Sequence, residues 1–264
     1  MRPPESDVSW TVEEWDRMWR PSMWLQKSPG EHGIHVWHIV AIVALTAYAN
    51  VVANRILDPW LHIPFNLGIL GVALAIARHA GADATDLGYR KDRIRRGLAA
   101  GGIVMGVIGV GILIGVALPF TREFFRDDRV IESSTGAVLF DALIRIPIAT
   151  AFYEETLFRG VLFGMFARRW APLWAGLTTS LLFGLWHILP TLDTLLTNPA
   201  GESIDSIPEV TLALAGTVAG LTLTGFAFLW LRLRANSTVA PVMAHIATNS
   251  FALLAALFVV RVLG

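Results

Sequence analysis

Residues 151–169 read AFYEETLFRGVLFGMFARR, an apolar stretch that contains Glu154, Glu155 and Arg159. Together with the apolar residues from 137 onward it exceeds the about 20 helical residues that cross a hydrocarbon core. An ionised residue near the centre of such a helix costs about 2.5–3.5 kcal/mol, so three facing lipid would cost about 8–10 kcal/mol. The stretch therefore predicts a membrane-spanning helix whose charged residues face protein or water.

The composition of the whole chain agrees with a membrane protein. Of 264 residues, 54% are hydrophobic and 16% are charged, against roughly 45–50% and about 25% in soluble domains. The chain has no cysteine, which excludes disulfides, thiolate metal sites and cysteine nucleophiles. We therefore expect an all-α fold, a polytopic transmembrane bundle in the cell membrane.

Hydropathy predicts seven spans, at about 34–54, 62–80, 97–118, 137–166, 172–190, 209–231 and 238–261. Lys and Arg residues in the connections number fourteen on the side of the N-terminus and five on the other side. Because cytoplasmic loops carry the excess of basic residues, the N-terminus is predicted to be cytoplasmic.

Two further patterns concern the tail and the contacts between helices. Residues 1–33 carry several tryptophans and a capping box, and they predict a short interfacial helix. A tail packed on the cytoplasmic loops is the alternative. Three glycine pairs have the small-xxx-small spacing that lets helices approach closely, and we expect them to serve packing. They are Gly102–Gly106, Gly111–Gly115 and Gly216–Gly220.

The spacing of the charged residues separates the two glutamates. Glu155 and Arg159 are four residues apart and share one face of a helix, where they can pair. Glu154 lies about a third of a turn away and lacks that partner. An unpaired carboxylate suits a general base or acid, whereas a buried ion pair that only fixes packing is the alternative. Asp141 and Arg145, near the other end of the span, predict an interfacial pair.

Two later spans add histidines. Phe183 and His187 lie four apart on the fifth span, and His245 and Asn249 lie four apart on the seventh. A glutamate and a histidine can activate water, while histidine and asparagine donors can stabilise an oxyanion. With Glu154 on the fourth span, the set predicts hydrolysis of an acyl bond.

These motifs resemble the CPBP family, which includes the CAAX prenyl endopeptidases of the Rce1 type and many bacterial Abi proteins. The resemblance rests on the ordered trio of motifs at Glu154-Glu155-x-x-x-Arg159, Phe183-x-x-x-His187 and His245-x-x-x-Asn249. Asp86-Leu87-Gly88-Tyr89 resembles the lead-in that is usual in the family. Residues 34–135 would then hold the N-terminal spans, and residues 136–264 the catalytic region.

The resemblance implies an intramembrane endopeptidase acting on a membrane-associated protein or peptide, with no nucleic acid as partner. It assigns activation of water to Glu154 and His187, and the stabilisation of the tetrahedral intermediate to His245 and Asn249. Glu155, Arg159 and Phe183 would support the site or bind substrate. We expect no obligatory metal, although a glutamate with two histidines could bind zinc, as in a metalloendopeptidase.

Other functions stay open at this point. The chain has no His-Glu-x-x-His, Gly-x-Ser-x-Gly or Gly-x-Gly-Asp motif, so other intramembrane protease types are not supported. A non-proteolytic scaffold, immunity or regulatory protein could keep the fold, but it would be free to lose one of the motif residues. A transporter would be expected to show an inverted repeat and broken helices in matching halves, which the sequence lacks.

Overall fold

Seven long helices dominate the part of the protein that the structure describes. The computed structural model describes residues 34–197 and 206–263, and no strand occurs among them. The helices are α1 (Val36–Arg55), α2 (Pro59–His79), α3 (Lys91–Ala117), α4 (Thr135–Ala167), α5 (Pro172–Leu195), α6 (Ile207–Ala235) and α7 (Val239–Leu263). Each is long and apolar enough to cross a membrane. The all-α fold with seven spans is thus confirmed, while the predicted helix in residues 1–33 lies outside the described residues.

The ends of α6 follow from local sequence. Ser206 accepts a hydrogen bond from the Glu209 N–H, and the Glu209 carboxylate accepts one from the Ser206 N–H, which completes a capping box. Asn236 ends the helix in the left-handed conformation, with φ 50° and ψ 40°, a conformation that asparagine tolerates better than most residues. The turn into α7 therefore needs only a few residues.

The central helix is α4, whose residues 153–166 are all buried. A short α-helical segment, Tyr153–Glu155, lies between two π-helical segments, Asp141–Phe152 and Thr156–Leu162. Hydrogen bonds in a π-helix run from residue i to i+5, and such segments are frequent at functional sites. The two glutamates therefore lie in a short α-helical segment, and on both sides of it the hydrogen bonding changes from the α-helical to the π-helical pattern.

Helix α5 is broken at His187. The residue has φ −87° and ψ 1°, whereas an α-helix requires about −63° and −42°. The break separates the segments Pro172–Trp186 and Ile188–Thr197. His187 thus lies at a bend in the chain, and its backbone departs from the helix on either side.

The loop between α2 and α3 packs deep against the turn between α6 and α7. The Thr238 N–H donates to the Gly88 carbonyl at 2.8 Å, and the Thr238 hydroxyl donates to the Leu87 carbonyl at 2.7 Å. Arg232 Nη2 donates to the Asp86 carbonyl at 2.5 Å. A Cβ at Gly88 would lie 2.4 Å from the Thr238 hydroxyl, so only glycine fits there. The start of α7 is therefore covered by this loop.

The same loop also packs on α4. A Cβ at Gly164 would lie 2.6 Å from the Asp86 carbonyl oxygen, which requires a residue without a side chain. The Asp86 carboxylate accepts from the Asp83 N–H and from Arg168 Nη1. Burial raises the pKa of this carboxyl above its usual range, although the nearby Arg168 opposes the shift.

The predicted glycine contacts are mostly wrong. Space is open around the added Cβ at four of the six positions, namely Gly106, Gly111, Gly216 and Gly220. Close approach occurs at other glycines. A Cβ at Gly101 of α3 would lie 2.9 Å from Met243 of α7, and one at Gly184 of α5 would lie 2.6 Å from the Val218 carbonyl of α6. Spacing along one helix does not specify which face meets a neighbour.

Candidate active site

Glu155 is the centre of a buried charged group. Its Oε1 accepts a hydrogen bond from Arg159 Nη1 at 3.0 Å, and His245 Nδ1 lies 2.9 Å from the same oxygen. The Glu155 side chain has no exposed surface. The predicted pairing of Glu155 with Arg159 is present, and the structure adds His245 of α7 as a second partner. This group ties α4 to α7.

Aromatic rings enclose the other side of Arg159. Its guanidinium carbon lies 3.9 Å from the ring centroid of Phe183 and 5.4 Å from that of Phe228. Cations over aromatic faces are stabilised more strongly when they are removed from water. Phe183, predicted as a supporting residue, thus contacts the arginine, and its ring also lies 4.7 Å from the His187 ring.

Glu154 points to a different partner. Its Oε2 lies 3.9 Å from His187 Nε2, too far for a direct hydrogen bond. Within the described part of the chain, Glu154 Oε2 is buried and has no hydrogen-bond partner. At this separation one water molecule can bridge the two polar groups. The two glutamates therefore differ, because one is held by two partners and the other faces only a histidine.

The hydrogen bond at the other ring nitrogen of His187 sets its tautomer. Nδ1 lies 2.7 Å from the Phe183 carbonyl oxygen. A carbonyl oxygen only accepts, so Nδ1 carries the proton in this bond. In the neutral ring, Nε2 then has the lone pair, and it is the nitrogen that faces Glu154. His187 is thereby arranged as a base or proton carrier on the side of Glu154.

His245 and Asn249 are placed differently from each other. His245 is buried, with its Nδ1 at Glu155, whereas Asn249 is exposed. Among residues 34–197 and 206–263, nothing forms a hydrogen bond with the Asn249 side chain. Asn249 lies in the π-helical segment Ala247–Phe251. Its amide is thus available to another molecule, while the Nδ1 of His245 is already occupied.

The histidines come together although they lie at different distances from the N-terminal ends of their helices. His187 is about 22 Å along α5 from Pro172, and His245 is about 9 Å along α7 from Val239. Both rings nevertheless lie near Phe183, at 4.7 and 6.2 Å. The turn before α7 is itself buried, at Asn236, Ser237 and Thr238, and the loop between α2 and α3 covers it.

The described residues contain no group of three His, Asp or Glu side chains close enough to hold one metal ion. Glu155 is shared by an arginine and a histidine, and Glu154 reaches only His187. Both histidines do hold Nδ1 against an oxygen acceptor, as metal-binding histidines commonly do. A zinc ion would need Glu154, His187 and His245 to move together.

Comparison with known proteins bears on this arrangement. Residues 137–251 match a family model described as type II CAAX prenyl endopeptidase Rce1-like. This part of the chain is similar to that family, and we call residues 137–251 the Rce1-like region. The resemblance inferred from the three motifs is thereby confirmed over these residues, which make up less than half of the chain. No curated protein and no solved structure gives a significant match.

The Rce1-like region contains every residue that the motifs singled out, from Glu154 to Asn249. An endopeptidase family implies a protease in general, and the seven helices indicate a multi-pass membrane protein. The region excludes α1, α2 and α3, which nevertheless contact the site. The contact from the loop after α2 is a 2.6 Å hydrogen bond between the Tyr89 and Thr156 hydroxyls, and Thr156 directly follows Glu155.

Sequence reasoning missed the contribution of the first helices. Tyr89 belongs to the quoted lead-in segment, but its position in a loop gave no sign that it reaches α4. Burial raises the pKa of Tyr89 to about 12, so its hydroxyl stays neutral at physiological pH. Asn50 of α1 and Asn66 of α2 donate to main-chain carbonyls of α5 and α4. The sequence did contain one indication of these contacts. A side-chain amide buried in an apolar span needs a hydrogen-bond partner, and here the partners lie on other helices.

Proposed function

We propose that the protein is an intramembrane endopeptidase that hydrolyses peptide bonds of membrane-associated proteins or peptides by a glutamate mechanism. The observation that carries the proposal is the convergence of Glu154 and His187 from two helices, with 3.9 Å between Oε2 and Nε2. The neighbouring carboxylate, Glu155, is held by Arg159 and His245. Only one of the two glutamates is therefore left for proton transfer.

The first chemical step is attack by water on the scissile carbonyl. A water that bridges Glu154 Oε2 and His187 Nε2 gives a proton to Glu154 as its oxygen bonds to the carbonyl carbon. The carbonyl π electrons move to the oxygen, which becomes an oxyanion. Collapse of the intermediate breaks the C–N bond, and the proton passes to the leaving nitrogen. A carboxylic acid and an amine are the products, and the acid then gives its proton to the amine or to water.

His245 and Asn249 would stabilise the oxyanion. With both ring nitrogens protonated, His245 keeps its Nδ1–H on Glu155 and donates its Nε2–H to the oxyanion. The exposed amide of Asn249 supplies a second donor. Donors held in place before the reaction stabilise developing charge most effectively in a site removed from water. This scheme uses no metal ion. We also propose that the N-terminus lies in the cytoplasm, which the excess of basic residues on that side supports.

The test compares the full-length protein with Glu154→Ala, each expressed in cells that lack the native copy. Mass spectrometry of membrane proteins should find new chain ends that depend on Glu154. Glu123→Gln is the matched control, because Glu123 is exposed and lies between α3 and α4, and it should preserve cleavage. New ends in all three samples, or in none, would contradict the proposal.

Two further assays separate the remaining alternatives. Peptides that end in a CAAX sequence, with and without a prenyl group, are incubated with the purified protein in lipid nanodiscs to define the substrate class. Proton flux into proteoliposomes is measured for the wild type and for Glu154→Ala. Flux that depends on Glu154 without cleavage would favour a transporter, and neither activity would favour a scaffold.

A further inference from the structure

Asn50 lies on α1, outside the Rce1-like region, at the depth of the candidate site. It is about 21 Å from the start of α1, and His187 is about 22 Å from the start of α5. Asn50 Nδ2 donates to the Trp186 carbonyl oxygen at 3.0 Å. Trp186 directly precedes His187. A polar amide from one span thus bonds to the main chain of another, one residue away from a proposed catalytic histidine.

The Trp186 carbonyl, which accepts this bond, has no donor within α5. In a continuous helix the carbonyl of residue 186 accepts from the N–H of residue 190. Residue 190 is proline and has no N–H. The next bond, from the Thr191 N–H to the His187 carbonyl, is formed at 3.0 Å. Asn50 therefore supplies the donor that Pro190 lacks, at the point where the helix breaks.

A second asparagine fixes the orientation of the Asn50 amide. Asn54 Nδ2 donates to Asn50 Oδ1 at 2.7 Å and to the Asn50 carbonyl at 2.8 Å. The Trp186 carbonyl can only accept, so Asn50 must present its NH₂ group to it and its oxygen to Asn54. The bond to the Trp186 carbonyl and the bond from Asn54 to Asn50 Oδ1 form together only in this orientation of the amide. The flipped amide would lose both.

We propose that Asn50 is a positioning residue that holds the break in α5 open and thereby sets the ring of His187. The backbone at the break aims the His187 Nδ1–H at the Phe183 carbonyl and Nε2 at Glu154. The inference rests on the proposed function only where it concerns turnover. The geometry of the His187 ring is measurable without any substrate.

The first readout is ¹⁵N NMR of the histidine rings in the full-length protein in nanodiscs, with the His187 signal identified by its loss in His187→Gln. The wild type should show the neutral Nδ1–H tautomer. Asn50→Leu should convert this signal to a mixture of tautomers. Asn66→Leu is the matched control: it removes a 2.8 Å amide-to-carbonyl bond from α2 to Ala149 of α4 and should leave the His187 signal unchanged.

The second readout separates positioning from simple stabilisation. Pro190→Ala restores an N–H that can donate to the Trp186 carbonyl. Added to Asn50→Leu, it should return the melting temperature toward that of the wild type. The repaired helix closes the break, so the His187 signal should stay altered. With a cleavable substrate, kcat should be lowered about 10–10²-fold in Asn50→Leu and in the double variant, with little change in KM.

The outcomes distinguish this inference from the proposed function. An unchanged His187 signal in Asn50→Leu overturns the positioning role, as does a double variant in which stability, signal and kcat all recover. A changed signal in a protein that cleaves no probe refutes the protease and leaves the positioning role intact. Should Asn50→Leu fail to fold, Asn54→Ala keeps the Asn50 amide but removes the bond that orients it, together with the bond to the Asn50 carbonyl. It should shift the same signal to a smaller extent.

Discussion

The two adjacent glutamates should respond in opposite ways to the same chemical change. Glu155→Gln removes the negative charge from a fully buried side chain that has Arg159 at 3.0 Å and His245 at 2.9 Å. Arg159 would remain among Phe183, Phe228 and other apolar groups without its carboxylate. Breaking one half of a buried pair costs about 3–5 kcal/mol. In a chain of this size that corresponds to a fall in melting temperature of about 6–20 °C.

Glu154→Gln should leave stability near that of the wild type. In the described structure Glu154 Oε2 has no hydrogen-bond partner and lies 3.9 Å from His187, and glutamine has the same shape without a charge to bury. A change of less than about 1 kcal/mol is expected. Turnover should be abolished, because the amide cannot take a proton from the attacking water.

The assay is thermal unfolding of the purified protein in detergent, followed by tryptophan fluorescence, beside cleavage measured on the same samples. A Glu155→Gln variant that also carries Arg159→Met is the control, since removing both charges should restore part of the lost stability. Equal losses of stability and of activity in the two single variants would refute the division of roles.

The remaining predictions concern topology, the oxyanion site and the loop between α2 and α3. Single cysteines introduced into this cysteine-free chain at 85–96 should be labelled from the cytoplasm and at 195–205 from outside; the reverse would refute the orientation. Asn249→Ala should lower kcat about 10²–10³-fold with little change in KM. When His245→Ala is added, the loss of kcat should be smaller than the product of the two single losses. Stoichiometric zinc by elemental analysis, with activity lost on chelation, would instead make His245 a metal ligand. Because the pKa of Asp86 is raised in the folded protein, the unfolded chain ionises first and stability falls as pH rises from about 4. D86N should therefore gain melting temperature relative to the wild type between about pH 4 and pH 7; a relative loss would show that the Arg168 pairing outweighs burial.

Local spacing predicted contacts within one helix well. Glu155 pairs with Arg159 and Asp141 pairs with Arg145, each at i and i+4. These contacts follow from helical geometry, which the amino-acid pattern specifies. The seven spans were predictable for the same reason, because the hydrophobic length required by a membrane is a property of each segment alone.

Contacts between distant segments could not be predicted in this way. Asn50 and Trp186 are 136 positions apart, and nothing in either sequence segment indicates that they face each other. The glycine spacings on α3 and α6 were correct as patterns but lay on open faces. The meeting of His187 and His245 near Phe183 depends on how three helices pack, and hydropathy cannot show this because it reports only the apolar length of each segment.

The loop between α2 and α3 has a consequence for how the protein is made. The segment around Gly88 is synthesised after the second helix, yet its partners Arg232 and Thr238 emerge about 150 residues later, with the last two helices. Membrane insertion proceeds from the N-terminus. The segment therefore lacks its partners Arg232 and Thr238 until four more helices have entered the bilayer. His245 arrives with the same final helix. A chain interrupted before that point would carry the loop, Glu154 and His187 but lack α7 with His245 and Asn249, so an incomplete copy should be unable to cleave the proteins around it.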